Sequence, residues 1–273
     1  MKKVPFPVNY FQSIIHPAKA FANRRSLTVL QLVIVFIFLN MLLINPIVFH
    51  AAAHPAVQLQ DVMPGVVEQL DDQTFEHLQQ VLKDGAIPED QPAEFMNDQQ
   101  TVGVNLTQTQ FDGLTKGINV THEAILLKSG SAAVFTVPYS KTFDWTKPAN
   151  SRELQEAVSQ EWQLSNRVNL MLTTTAVSGG LIVVSNFLIV LGVAAFVWLT
   201  RMSSYSAIRT YKESVNLILN CLGLSSLAAM ITGFVQFDVI VMMMVQSFGM
   251  VLMLLAVFAK TKFQDKQMIK MKE

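Results

Sequence analysis

Between Val168 and Ala259 only Arg201, Arg209, Lys212, Glu213 and Asp238 carry charge, and they cut the stretch into three apolar runs of membrane length. Lipid offers no water to bond a bare backbone, so such runs must satisfy their own N–H and C=O groups as helices. A fourth uncharged run, Leu27 to Phe49, stands upstream. Its 23 residues, rising about 1.5 Å each, suffice to cross a hydrocarbon core about 30 Å thick. The fold class expected is an α-helical membrane protein with four transmembrane helices and a small α+β extracytoplasmic domain between the first and second.

Composition points the same way. The chain is 51% hydrophobic and 15% charged, against about 25% charged in soluble domains. Cys221 is the single cysteine and lies inside an apolar run. Neither a disulfide framework nor a cysteine-based metal site follows from it. The division expected is a cytoplasmic amphipathic segment at 1–25, a first span at 26–50, the α+β domain at 51–167, a three-helix block at 168–259 and a basic tail at 260–273.

Residues 1–25 hold Lys2, Lys3, Lys19, Arg24 and Arg25 and no acid, with Tyr10, Phe11, Ile14, Ile15, Ala18 and Phe21 at near-helical spacing. This reads as an interfacial segment whose basic side chains meet anionic headgroups. The competing reading is a disordered tail broken by Pro5, Pro7 and Pro17. Ala51-Ala52-Ala53 resembles a signal-peptidase site. A signal peptide's apolar region is usually about 7 to 15 residues behind a short basic region, so Leu27–Phe49 is expected to be a retained span.

In the middle segment, Asp72 is expected to cap a helix that carries Phe75, Leu78, Val81 and Leu82 on one face and stops at Gly85. Val102–Leu106, Ala124–Leu127 and Ala132–Val137 read as strands, the last two joined by a hairpin at Ser129-Gly130. Pro88–Gln100 reads as a mobile loop. Asn150 and Glu153 have capping-box spacing, and no Pro or Gly follows until Gly179. The helix begun there can therefore continue into the second span. Between Arg167 and Arg201 lie 33 uncharged residues, an excess that extends as helix or is absorbed by tilt. Trp198 occupies an interfacial position beside Arg201.

The segments at 1–25, 200–214 and from Lys260 onward hold 13 basic and 3 acidic residues, and the remainder 7 and 17. Four spans put both termini on one side, and the basic excess makes that side the cytoplasm.

In the third span Cys221, Ser225, Ala229 and Gly233 repeat every four residues, a stripe of small side chains suited to close helix packing. Ala176 and Gly180 form a weaker pair in the second span. Asn40 reads as a helix-packing group with Asn45-Pro46 as a kink, and Asn186, Asn216, Asn220 and Gln246 as hydrogen-bonding groups between helices. The Met242-Met243-Met244 run reads as flexible filler. No ionisable group lies within an apolar core, which argues against a proton-coupled carrier. Glu76-His77 and His122-Glu123 lack zinc spacing, and no G-x-S-x-G, P-loop or dinucleotide fingerprint occurs. Catalytic residues, metals, cofactors and nucleic-acid partners are accordingly not expected. Asn105-Leu106-Thr107 and Asn119-Val120-Thr121 match glycosylation acceptors.

Tyr10-Phe11-Gln12-Ser13, Pro17, Ala20-Phe21, Arg24-Arg25 and Gln31-Leu32, ahead of one span, an outer domain and three more spans, form a pattern over essentially the whole chain. It resembles four-span membrane proteins of low-GC Gram-positive bacteria, some of which carry the label maltodextrose utilization protein MalA. In that pattern the outer-domain strand often holds an Ile-Asp pair; this chain has Val104-Asn105. The resemblance implies a bacterial plasma membrane and a link to maltodextrin use, and brings no catalytic residues. The function expected is a non-enzymatic accessory or regulatory component, its outer module meeting a ligand or partner and its spans packing on membrane proteins such as a sugar uptake system, or on a second copy. The alternatives are a transporter acting as an oligomer and a membrane-anchored hydrolase.

Overall fold

The structure is a computed structural model and describes residues 5–54, 57–130, 133–203 and 206–265. Lys2 and Lys3, the start of the strand expected from Ala132, and the tail beyond Asp265 lie outside the described residues. In chain order the helices and strands are α1 (Val8–Ile15), α2 (Pro17–Ala22), α3 (Val29–Ala53), α4 (Leu59–Val62), α5 (Asp72–Val81), β1 (Glu94–Phe95), β2 (Val102–Val104), α6 (Gln108–Asp112), β3 (Lys116–Val120), β4 (Ala124–Ser129), β5 (Ala133–Pro138), α7 (Ser151–Leu199), α8 (Tyr211–Val235) and α9 (Val239–Thr261). Two compact units result, one of residues 1–53 and 172–273 and the other of residues 54–171.

In the first unit, four helices among the described residues are long and apolar enough to cross a membrane. The third is the hub. Of its apolar window 56% is buried, against 17% for α9. Leu181, Phe196, Ile240, Phe248 and Leu252 point outward, a distribution suited to lipid and costly in water. Pro46 sits inside α3, which continues to Ala53, so the kink expected at Asn45-Pro46 does not end the helix. The N-cap Thr210 accepts from the Glu213 N–H. Asp238 accepts from the N–H groups of Ile240 and Val241 and so starts α9.

The N-terminal segment departs from its expected place. Tyr10, Ile14, Ala20 and Phe21 are buried in this unit, sharing a core with Leu217, Leu222 and Val257. The Tyr10 hydroxyl donates to the Leu219 carbonyl at 3.2 Å. A Cβ on Gly223 would stand 2.2 Å from Ile14 Cγ2, so only glycine lets α1 lie this close to α8. Tyr10, Ile14, Ala20 and Phe21 are thus covered by protein where an acyl boundary was expected, because α8 offers them a fitted surface, while Phe11 and Ile15 of the same segment stay exposed.

The second unit is a five-stranded sheet in the order β1-β2-β3-β4-β5, antiparallel except for β2 and β3. Its core joins Val102, Ile118, Ile125, Leu127 and Val137 of the sheet to Leu78 of α5 and to Leu154, Val158 and Trp162 of α7. Burying side chains of this size contributes about 1.5–3 kcal/mol each. The β4–β5 hairpin stands where expected, with Gly130 at φ +74°. The cap of α5 is Asp71, one residue before the expected Asp72, and the helix ends at Val81, short of Gly85. Gly85 instead takes φ +77° in a turn closed between Lys83 and Ala86. Two strands were not expected. β1 lies inside the segment read as a mobile loop, pinned by the buried Met96, and β3 reads Lys-Gly-Ile-Asn-Val, whose Gly and Asn weaken the strand pattern.

Candidate functional site

The small-residue stripe of α8 is covered from within its own unit. Ser225 stands against Gly249 of α9, Ala229 packs with Leu43, Ile47, Ile182 and Met242, and a Cβ on Gly233 would meet Met242 Sδ at 2.6 Å and Pro46 Cβ at 2.9 Å. Cys221 is buried at the other end of the stripe. Ala176 and Gly180 are exposed, and nothing lies within 4 Å of a Cβ built on Gly180. Gly179, which the spacing argument passed over, is the residue that meets Ile44 of α3.

Polar side chains of the long apolar helices bond to one another or to the N-terminal segment. Asn186 Nδ2 donates to Asn40 Oδ1 at 2.9 Å, Gln246 Nε2 to Ser226 Oγ at 2.9 Å, Asn220 Nδ2 to the Ala20 carbonyl at 3.1 Å and Asn216 Nδ2 to the Asn23 carbonyl at 3.2 Å. Each sits where water does not compete, so its loss would leave a buried group unpaired.

Arg24 is the main surprise among the basic residues. Its side chain is 3% exposed; its guanidinium lies 2.8 Å from Asp265 and 3.5 Å from Glu213, which Arg25 meets at 3.0 Å. Arg24 also covers the Phe21 ring at 4.1 Å. A headgroup contact had been expected, but an arginine this enclosed needs fixed carboxylates, and α8 and the chain after α9 supply them. Nothing in the spacing of Arg24 and Glu213 across the sequence signals their pairing. Lys19, Arg209 and Lys212 are exposed. Arg201 stacks on Trp198 at 3.7 Å.

In the second unit the chemistry-bearing surface is a cleft built by the Asp84-Gly85 turn, the 139–148 loop and the first turns of α7. One cavity of about 690 Å³ is lined by Asp84, Lys141, Phe143, Asp144 and Lys147, and a neighbouring one of about 320 Å³ adds Glu153, Glu156, Gln160 and Glu161. Sequence reading did not single out this loop. Its signal was the aromatic spacing Tyr139, Phe143, Trp145. Phe143 stacks on Tyr139 at 5.2 Å and packs perpendicular to Trp145 at 4.9 Å.

Hydrogen bonds fix the same loop. Asp144 Oδ1 accepts from the Thr146 N–H at 2.9 Å and its hydroxyl at 2.7 Å. These bonds hold the Asp144 carboxyl below its ordinary value. Glu161, 4% exposed, accepts from the Ser140 N–H and hydroxyl. The Tyr139 hydroxyl donates to the Thr121 carbonyl at 2.8 Å, and burial pushes its phenol up. At the start of α7 Asn150 Oδ1 accepts from the Glu153 N–H, while the Glu153 carboxylate reaches back to the Ala149 N–H.

The histidines are held locally. His122 Nδ1 is 2.7 Å from the Ile87 carbonyl, and His77 lies 3.7 Å from Glu94. Among the described residues no group of three or more His, Cys, Asp or Glu is arranged to hold a metal ion. Asn119 of the second glycosylation tripeptide is 2% exposed and bonds both ways with the Leu106 backbone, so it is closed to modification in the folded chain. Asn105 takes φ +45° and donates to the Gln91 carbonyl at 3.0 Å. At this position the amide braces the 88–95 segment.

Comparison with known proteins adds the family context. The chain is 28% identical over 268 residues to the maltodextrose utilization protein MalA of Streptococcus pneumoniae, covering 96% of this chain and 98% of that one. The relatives found are the ones the N-terminal pattern resembles. A second, the putative maltodextrin utilization protein YvdJ of Bacillus subtilis, is 22% identical over 238 residues, covering 82% and 79%. No protein-family model and no solved structure matches the chain.

Proposed function

We propose that this chain is a non-enzymatic, multi-pass component of the bacterial plasma membrane that assists or regulates maltodextrin uptake, with both termini in the cytoplasm and the module of residues 54–171 outside. The observation that carries the reading is similarity over nearly the full length to a protein named for maltodextrose utilization. The basic excess beside the spans supports the orientation. The absence of a reactive motif from the sequence supports a non-catalytic role. In an accessory component the spans pack on an uptake system and the module meets a ligand or partner.

The transporter alternative is less well served by the packing. A solute path needs polar groups turned toward it, and Asn40, Asn186, Asn220, Ser226 and Gln246 bond to one another or to backbone. Deleting the gene is expected to slow entry of labelled maltodextrin, and purification in mild detergent to bring down an uptake component. Liposomes holding this chain alone are expected to take up none. Uptake by such liposomes would overturn the accessory role in favour of transport, and reporter fusions on opposite sides for the two ends would overturn the orientation.

A further inference from the structure

We infer that the cleft of the module is a binding site for a neutral linear oligosaccharide, one sugar ring lying against Phe143 and neighbouring hydroxyls bonded by Asp84, Lys141, Lys147 and Gln160. The inference deepens the function proposed above and rests on it for the choice of glucan.

Shape is the first argument. The two cavities, about 690 and 320 Å³, open side by side and share Thr142, Phe143, Asp144 and Lys147. Both fall in the range of roughly 300–1,000 Å³ in which small-ligand sites occur. Two joined compartments suit a short chain of repeated units better than one compact molecule. Phe143 is half-buried and lies at the junction. With Tyr139 stacked on it and Trp145 perpendicular to it, the ring is held in place in the lining that both cavities share. The lining sets this one aromatic ring among charged and polar side chains, and placed polar groups are what fix the orientation of a small molecule in its site.

Charge narrows the ligand further. Around the larger cavity Asp84 and Asp144 balance Lys141 and Lys147, while the smaller has Asp144, Glu153, Glu156 and Glu161 against Lys147. The field is neutral to acidic. It gives a phosphorylated or carboxylated sugar no net attraction, whereas hydroxyl groups accept from ammonium and amide and donate to carboxylate alike. The bonds from Thr146 to Asp144 and from Ser140 to Glu161 fix the loop before any ligand arrives, which lowers the ordering cost of binding.

The test is calorimetry on the full chain in lipid nanodiscs, with no maltoside detergent present, using maltotriose, maltoheptaose, cellotriose and glucose 6-phosphate. Saturable binding of maltotriose and tighter binding of maltoheptaose are expected, with glucose 6-phosphate weaker than either. Phe143→Ala should weaken maltotriose by about tenfold, as for a central aromatic contact. Because that change also loosens the Tyr139 and Trp145 stack, Lys147→Gln at the exposed rim serves as the second variant, with a smaller loss and an unchanged melting transition. Absence of saturable binding by either maltodextrin, equal binding by both variants and wild type, or a preference for cellotriose or glucose 6-phosphate would each overturn the assignment. Growth of a deletion strain on maltodextrin separates the two ideas. Wild type that restores growth without binding sugar removes the cleft and leaves the accessory role, and binding without any growth defect removes that role and leaves the cleft.

Discussion

The two units bury leucines equally well, Leu43 in the membrane-length helices and Leu127 in the sheet both being fully enclosed, yet the physics that rewards burial differs between them. The module folds against water, where removing apolar surface is the main drive. In a bilayer the medium is as apolar as the side chain, and helices are held by close packing and by polar groups with nowhere else to bond. Accordingly the first unit brings Ile14 onto Gly223, Ser225 onto Gly249 and Asn186 onto Asn40, whereas the module collects large side chains around Trp162. A rule for what matters in one half therefore misleads in the other.

Matched substitutions sharpen the contrast, read by hydrogen exchange of the full chain in nanodiscs so that each unit reports on itself. The largest loss is expected from Trp162→Ala, about 3–5 kcal/mol in the protection of the module. Leu127→Ala should cost about 2–5 kcal/mol. Leu43→Ala is expected to cost about 2 kcal/mol less than Leu127→Ala, because transfer from water, worth about 0.8 kcal/mol per methylene, does not enter between helix and lipid. Equal losses at the two leucines would break the comparison.

Arg24→Met leaves the enclosed Glu213 with the half-exposed Arg25 and the Arg209 N–H and should lower stability of the first unit by about 3 kcal/mol. Arg24→Met with Glu213→Met should cost less than either change alone, since Arg25 and Asp265 are half exposed and return to solvent. Thermal denaturation in detergent measures both. A double variant as damaged as the sum of the singles would show that the cluster is valued for shape and not for charge balance.

Smaller effects follow at single polar contacts. Asn186→Leu removes the bond to Asn40 and should cost about 0.6–2 kcal/mol in the bilayer. The smallest response belongs to the exposed loop. Asp144 is held below its ordinary carboxyl value by the Thr146 hydroxyl and N–H, so its contribution is complete above the unfolded value and is lost as pH falls through the depressed one. The Thr146 amide should stay protected from exchange at neutral and mildly acidic pH and lose protection only in stronger acid, and Asp144→Asn should blunt that change. Loss of protection near neutrality would contradict the arrangement.

Legibility in the sequence follows the same division. Long apolar runs announced the four helices that are long and apolar enough to cross a membrane, because a lipid-exposed backbone has one inexpensive solution. The hairpin at Ser129-Gly130 and the capping pair at Asn150 and Glu153 were readable because their bonds join near neighbours in the chain. Strand β3 was hidden by its Gly and Asn, and β1 by the polar residues around it; both exist because partner strands lie beside them. The 139–148 loop carried an aromatic spacing but no motif, so its cleft needed the turn at Asp84 and the start of α7 to become visible.

Sequence by itself thus determined that four helices are fit for a membrane, that a folded polar module stands between the first and second, and which relatives share the pattern. The tertiary structure decided that α1 and α2 are packed into the helical unit, that Arg24 pairs with Glu213 and Asp265, and that Phe143 lies where two cavities meet. The physical reason is range. Periodicity and local bonding are set by residues a few positions apart, while a buried ion pair or a cleft is made by residues far apart in sequence whose encounter only the folded chain specifies.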